Sequence, residues 1–425
     1  MDIVQDLITY IVHSTSPYHA VRYGMEELAQ GGFSELSWGK PWMLAPGGRY
    51  FTRVFGSALF AFKVGTKRPR GLRIAAAHTD FPGFRVKPQA GMVRGGCGLV
   101  NVEPYGGLIE RTWLDRPLSL SGQIVLRGRS PFEPETYIVD LRRPLMTIPS
   151  LAIHMDRKVN DGEKINRQDE LQPVCNLVAK ELKESFFLEK LAREIGKKPE
   201  EILSYDLNLY PIETGCTLGF DAELVSSPRL DNLTSVKACL DGLIEGGRED
   251  GINIVALFDN EEVGSRTKQG AGSAVLAQLI DRIYRALDLD ADDMAEDISG
   301  GFLLSCDVAH GAHPNYLGKA DPTNRPLLGK GVVLKQAASQ NYVGDATAQA
   351  VVLELCRAHN IPCQQYTNRS DIPGGSTLGS IVSAQLGMRG MDVGVPVLAM
   401  HSARETMGAA DQEAITSLVR AFFTD

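Results

Sequence analysis

The seven cysteines of this chain (Cys97, Cys175, Cys216, Cys239, Cys306, Cys356 and Cys363) are scattered, odd in number and without a CxxC pair. That pattern speaks against a disulfide framework and for reduced thiols in a reducing compartment. Cys306 stands beside Asp307, where a buried strand cysteine is usually a packing residue. No apolar stretch is long enough to span a membrane, and the N-terminal MDIVQDL lacks a basic region followed by a long apolar core, so the expectation is a cytoplasmic protein with no membrane partner. Clusters of Lys and Arg are missing too, and the net charge is −8, which removes the electrostatic footprint of a nucleic-acid binder. There is no internal repeat and no low-complexity tract. What remains, 43% apolar and 23% charged residues, is the composition of an ordinary globular enzyme. At 425 residues the chain exceeds what one ordinary core holds, so two domains are expected.

The pattern along the chain divides accordingly. Ile3, Leu7, Ile8, Ile11 and Val12 recur at helical spacing, and Ser16-Pro17 then starts a second helix that runs to Gly31-Gly32. Strands are expected at about 59–65 and 73–77. From about 89 to 221 the character changes to Gly-rich short strands, a turn-rich section and a charged helical stretch, AKELKESFFLEKLAREIG. Beyond 231 strands and helices alternate, which is the signature of crossover connections in a largely parallel sheet. The expected fold is α/β: a mixed, largely parallel sheet flanked by helices, formed by 1–88 and 222–425, with an inserted β-rich domain at 89–221.

Four apolar runs end on side chains that bind divalent metals: AAAHTD (His78, Asp80), IVALFDNEE (Glu261, Glu262), FLLSCD (Asp307) and VLAMH (His401). Each run suits a strand buried on both faces, and ligands of open α/β sheets sit beyond the carboxyl ends of such strands. Asp231, in RLDNLTS, lies where a capping Asp starts a helix. Two His and three carboxylates suit a pair of zinc-like ions, with Co or Mn accepted by the same donors, and leave Glu261 as a free base. Asp80, two residues past His78, shares its face and can orient the imidazole. Taken singly, each has an ordinary reading: a His at a sheet edge, a helix cap, a solvated acidic turn. Position weighs against these, because acids directly after IVALF are costly unless paired or metal-bound. GGSTLGS (374–380) lacks the P-loop lysine and spacing and reads as a tight start to a helix.

HTD followed by FRVKP, VEPYGGLIERTWLDRPLSLSG, IPSLAIHMDR, PRLDNLTS, FDNEEVGS, SCDVAHGAHPNY, GGSTLGS and LAMHSARETMG resemble, in order and spacing, the aspartyl aminopeptidase family of dinuclear zinc exopeptidases. The resemblance spans nearly the whole chain. It implies a zinc exopeptidase-like fold in which Asp231 bridges two metals, His78 and Asp307 hold one, and Glu262 and His401 hold the other. It also implies Glu261 as general base, Asp80 as the orienting carboxylate, and a homo-oligomer of twelve subunits built through the inserted domain. His154, a surface-loop residue by spacing alone, is by the resemblance an imidazole placed over a neighbouring subunit's metal centre. Two positions depart from the family pattern: Phe81 stands where a small polar residue is common, and Asn341 in SQNYVGD replaces an Arg.

The residue types fit peptide hydrolysis by metal-activated water, with Glu261 moving the proton from water to the leaving amine. A second metal can polarise the scissile carbonyl or bind the free α-amine, which would explain cleavage of one residue at a time from peptide N-termini, as an aminopeptidase does. His310 and His313 are loop imidazoles that can also contact the intermediate or the substrate side chain, and Lys335 can lend positive charge to a pocket for acidic residues. Its alternative is a solvated lysine at a strand end. A dinuclear zinc deacylase or carboxypeptidase remains a rival, as does a non-catalytic peptide-binding scaffold, although a scaffold has no use for so many acids.

Overall fold

The computed structural model describes residues 2–162, 164–177 and 183–425, and they form two compact units. One contains the residues up to Asp80, Gly215–Met400 and Glu405–Asp425, and the other Phe81–Thr214 with His401–Arg404. The sequence pattern places the insertion at 89–221. Strand pairing accounts for the difference, since Gly83 already pairs with Tyr105 in the second unit's sheet, whereas Cys216–Leu218 pairs with Leu224–Ser227 in the first.

In the first unit, helix Ile3–His13 is capped by the Asp2 carboxylate, which accepts the Val4 N–H, and helix Pro17–Gln30 has proline in its first turn. A nine-stranded sheet follows, and its centre is the parallel trio Asp250–Phe258, Arg68–His78 and Phe302–Cys306. Ile74–Ala77, Ile254–Phe258 and Leu303–Cys306 are buried throughout, as both-face burial of a parallel strand requires. His78 lies level with Phe258, so Asp80, Glu261–Glu262 and Asp307 all follow strands that end on the same edge.

The fourth run behaves differently. Pro396–Leu398 belongs to a five-stranded sheet, parallel to Ala309–His310 and antiparallel to Glu405–Gly408, while the strand beside Phe302–Cys306 in the large sheet is Gly390–Gly394. Both chains step together from one sheet to the other. Asp307 N–H bonds the Val393 carbonyl, and Ala309 N–H the Val395 carbonyl. The step requires Gly394, where a Cβ would fall 1.6 Å from the Asp307 carbonyl oxygen.

Helix Leu230–Glu245 packs against helix Ala409–Phe422, and at Gly242 a Cβ would lie 2.5 Å from Val419. On this long helix Lys237 is buried, with its ammonium 2.7 Å from Asp6, 2.6 Å from Asp241 and 3.4 Å from Glu27.

The second unit is built on an antiparallel six-stranded sheet, running from Glu133–Asp140 at one edge to Val174–Leu177 at the other. Its core gathers Phe84, Val100, Trp113, Leu120, Ile124, Leu207 and Leu209, with Phe84 and Trp113 edge to face at 5.2 Å. Of the expected charged helical stretch, Phe186–Glu194 is α-helix, and residues 179–182 lie outside the described residues. Among the described residues no helix is long and apolar enough to cross a membrane.

Candidate metal centre

Three of the sequence-selected donors converge: ligand atoms of His78, Asp231 and Glu262 all lie within 4.8 Å of one another. His78 is held at the end of its strand with 1% exposure. Its Nδ1 lies 3.0 Å from the Asp80 main-chain carbonyl and 3.4 Å from the Asp80 carboxylate. Nδ1 can thus donate to Asp80, which leaves Nε2, 3.5 Å from Asp231 Oδ1 and 3.6 Å from Asp307 Oδ1, as the nitrogen that would face a metal and that carries a proton shared with these carboxylates in the metal-free protein. An imidazole anchored through Nδ1 in this way is oriented as a metal ligand needs.

The fully buried Asp80 carboxylate has a further role that its position past the strand explains. Its two oxygens accept the main-chain N–H groups of Glu261 and Glu262, each at 3.1 Å. It thus ties the strand carrying His78 to the 3-10 turn Glu261–Val263. Asn260, at φ 63°, turns the chain sharply into this position, a conformation Asn tolerates better than most residues.

Asp231 stands at the head of its helix with φ −79° and ψ 106°, so regular helix starts only after Asn232. This leaves its carboxylate at the helix's positive end. The Asp231 N–H donates to the Glu405 carboxylate at 2.9 Å, and Asn232 donates to the Cys306 carbonyl at 2.9 Å. Glu405, 2% exposed, was not singled out from the sequence, and the only signal for it is a charge inside a short buried strand. Asp307 is flanked by Lys335, whose ammonium lies 3.7 Å from Oδ2 and donates to the Val308 carbonyl at 3.0 Å.

Electrostatics follow from this crowding. Burial pushes the Glu261 carboxyl up to about 8, with Asp307, Asp80 and Asp231 adding to the rise and His78 opposing it. Burial also acts to raise Asp307, but Lys335 and His78 outweigh it and hold the carboxyl at about 2. For His78 burial pulls the imidazole down, and hydrogen bonds to Asp307 and Asp80 with the charge of Glu261 carry it well above its ordinary value. A site this rich in carboxylate, gathered around one imidazole nitrogen, is short of positive charge. The donor set thus fits hard or borderline divalent cations.

The remaining candidates have surroundings of their own. His401, at φ 66°, opens the short segment that goes with the second unit, where its Nδ1 lies 3.1 Å from the Gly107 carbonyl and its own carbonyl accepts the Ile109 N–H. His310 is exposed at the end of a two-residue strand, its ring 6.2 Å from that of Tyr366. His313 caps the turn Pro314–Lys319 through Nδ1 and packs on Tyr316. Lys335, expected at a strand end, is only 2% exposed and lies over the Tyr342 ring. His154 is exposed in a turn of the second unit, between the exposed side chains of Ile153 and Met155. GGSTLGS leads, through the N-cap Thr377, into helix Leu378–Leu386.

Comparison with known proteins gives the family. The family model described as Aminopeptidase I zinc metalloprotease (M18) matches residues 10–423. A Clostridium acetobutylicum protein described as probable M18 family aminopeptidase 2 is 40% identical over 427 residues, covering 100% of this chain and 99% of the relative. A chain in a cryo-EM structure of the Ape4 and Nbr1 complex superposes with a TM-score of 0.95 at 34% identity, over 99% of this chain and 85% of that one. The S. cerevisiae mApe1 dodecamer gives a TM-score of 0.84 at 25% identity, over 99% of this chain and 96% of that one.

Proposed function

The chain belongs to the M18 family of zinc metallo-aminopeptidases, and from that premise we propose which of its residues bind metal, move the proton and select the substrate. It is a hydrolase that removes N-terminal residues from peptides. In our reading two divalent ions, zinc by preference, bind each subunit: Asp231 is shared, His78 and Asp307 serve one ion, Glu262 serves the other, and His401 is the remaining ligand of the family pattern. The observation that carries this is the convergence of His78, Asp231 and Glu262 donor atoms. Bound ions of this kind lower the pKa of water toward neutrality and polarise the scissile carbonyl.

The chain's own groups do the rest. The Glu261 carboxylate takes a proton from the attacking water and returns it to the leaving amine. A carboxyl lifted to about 8 by burial among like charges has the affinity for a proton that this shuttle needs, and bound cations bring it back toward neutrality. Asp80 fixes Glu261 and Glu262 through their N–H groups, while its carbonyl orients His78. The subunit acts in the cytoplasm as part of a homo-oligomer, for which we adopt the dodecamer of the yeast relative. The second unit mediates assembly and places His154 against a neighbour's substrate.

For specificity, Lys335, His310 and His313 supply the positive groups, so acidic N-terminal residues are accepted. The preference is weak, because the Lys335 ammonium is already engaged by Asp307 and the Val308 carbonyl, and Phe81 and Asn341 replace polar and cationic residues of the family pattern. Measurement of kcat/KM on N-terminal Asp, Glu, Leu and Lys substrates with defined metal tests this. Activity on Asp and Glu at least equal to Leu is expected, and best activity on Lys overturns it.

A further inference from the structure

Lys335 does not reach its place alone. Directly across the antiparallel pair Val332–Gln336 and Gly390–Gly394, the residue opposite Lys335 is Asp392. Asp392 is fully buried, and its charge is felt by the ammonium: burial pulls Lys335 down, but Asp307 and Asp392 together raise it above its ordinary value. A buried carboxylate in this position has to be oriented by donors, and the structure provides two on one oxygen. Oδ2 accepts the Val343 N–H at 2.5 Å and the Thr377 hydroxyl at 2.8 Å. Each donor brings in a segment with no other assigned purpose. Val343 ends the SQNYV stretch that contains Asn341, and Thr377 is the N-cap within GGSTLGS. The two segments are also tied directly, by Thr377 N–H to the Asn341 carbonyl at 3.2 Å.

We infer that Asp392, oriented by Thr377, is a positioning residue that fixes the Lys335 ammonium beside Asp307 and thereby sets the enzyme's discrimination between acidic and neutral N-terminal residues. The inference rests on the reading of Lys335 as a specificity group. Without Asp392, the ammonium loses one of the two carboxylates that compensate it most and is drawn toward the other, Asp307, away from the substrate. The Thr377 contact with Asp392 runs through the hydroxyl, so shape is separable from hydrogen bonding at that position.

The test is a cycle of Asp392→Asn and Lys335→Met, singly and together, with Thr377→Val and Thr377→Ser, assayed on N-terminal Glu and Leu peptides. Asp392→Asn should lower kcat/KM for Glu about tenfold, the scale of one buried charge-assisted contact. The loss should lie mainly in KM, with less change for Leu. In the Lys335→Met background the same substitution should change little. Thr377→Val should move the Glu/Leu ratio the same way, and Thr377→Ser should restore it. Thermal unfolding of the metal-free proteins gives a readout without turnover, and there the two substitutions should be non-additive as well. An Asp392→Asn effect that is equal for both substrates, or undiminished beside Lys335→Met, overturns the inference. A Lys335→Met protein that loses Glu and Leu activity alike instead overturns the specificity reading of Lys335, whatever the cycle shows.

Discussion

At the scale of single residues, the centre separates groups that hold metal from groups that hold those groups. The Glu261 carboxylate is assigned proton transfer and not metal binding, so Glu261→Gln should lose about 10²–10⁴ in kcat while metal analysis finds the ions still bound. Retention of near-full turnover would remove it as the base. Asp80 is different, because both carboxylate oxygens accept N–H groups. Asp80→Asn turns one acceptor into a donor facing a donor, and should cost about 10- to 100-fold in activity or metal affinity. The metal-free protein should also show its charge crowding as pH dependence. Glu261 is raised from an ordinary 4.5 to about 8, so its contribution is fully present below the lower value and is lost as pH rises through the upper one. His78 is also raised and acts in the same direction, while Asp307, held at about 2, loses its contribution only as pH falls toward that value. Melting temperatures of the metal-free wild type should therefore fall between about pH 5 and 9 more steeply than those of Glu261→Gln, and zinc should abolish the difference.

At the scale of elements, what matters is how helices and strands are locked so that their ends stay in place. Helix Leu230–Glu245 carries Asp231 at its head, and Lys237 two turns on binds Asp6 of the first helix and Glu27 of the second. One ammonium against three carboxylates leaves an excess of negative charge, and burial pushes Glu27 up to about 7 even with Lys237 opposing. Lys237→Met should destabilise the protein by about 3–5 kcal/mol near neutral pH, the cost of stranding buried charge. Because a carboxyl with a raised folded pKa is relieved by taking up a proton, that loss should shrink as pH falls below about 7. Calorimetry at two pH values checks both statements, and a loss independent of pH would assign the role of Lys237 to packing.

At the scale of the whole molecule, activity is expected to depend on assembly. His154 is exposed, and Leu151, Ile153 and Met155 around it are apolar and about half exposed or more in the isolated subunit (56%, 49% and 75%), a composition suited to burial against a second copy. If His154 stabilises the oxyanion in a neighbour's site, His154→Ala and Glu261→Gln subunits, each nearly inactive, should regain activity when dissociated, mixed and reassembled. Recovery no greater than the sum of the two parents would exclude action in trans.

The sequence by itself determined the parts of this protein that depend on local pattern. Apolar runs such as AAAH and FLLSC declare strands buried on both faces, and a His or acid immediately after such a run declares its own cost. Local pattern also marks the change of character that separates the β-rich insertion from the α/β unit. Only the tertiary structure decided what depends on approach between distant segments. VPVLAM reads like the other runs, yet Gly394 lets the chain cross the Asp307 backbone, and the strand pairs in a different sheet. Lys335 reads as a strand-end cation, but folding sets it opposite Asp392 and beside Asp307. Glu405 and Thr377 gave no signal of their partners, because the hydrogen bonds that give them meaning span 174 and 15 residues of chain. Period and polarity are properties of neighbours along the chain, whereas a buried charge acquires its role from partners that only folding brings within reach.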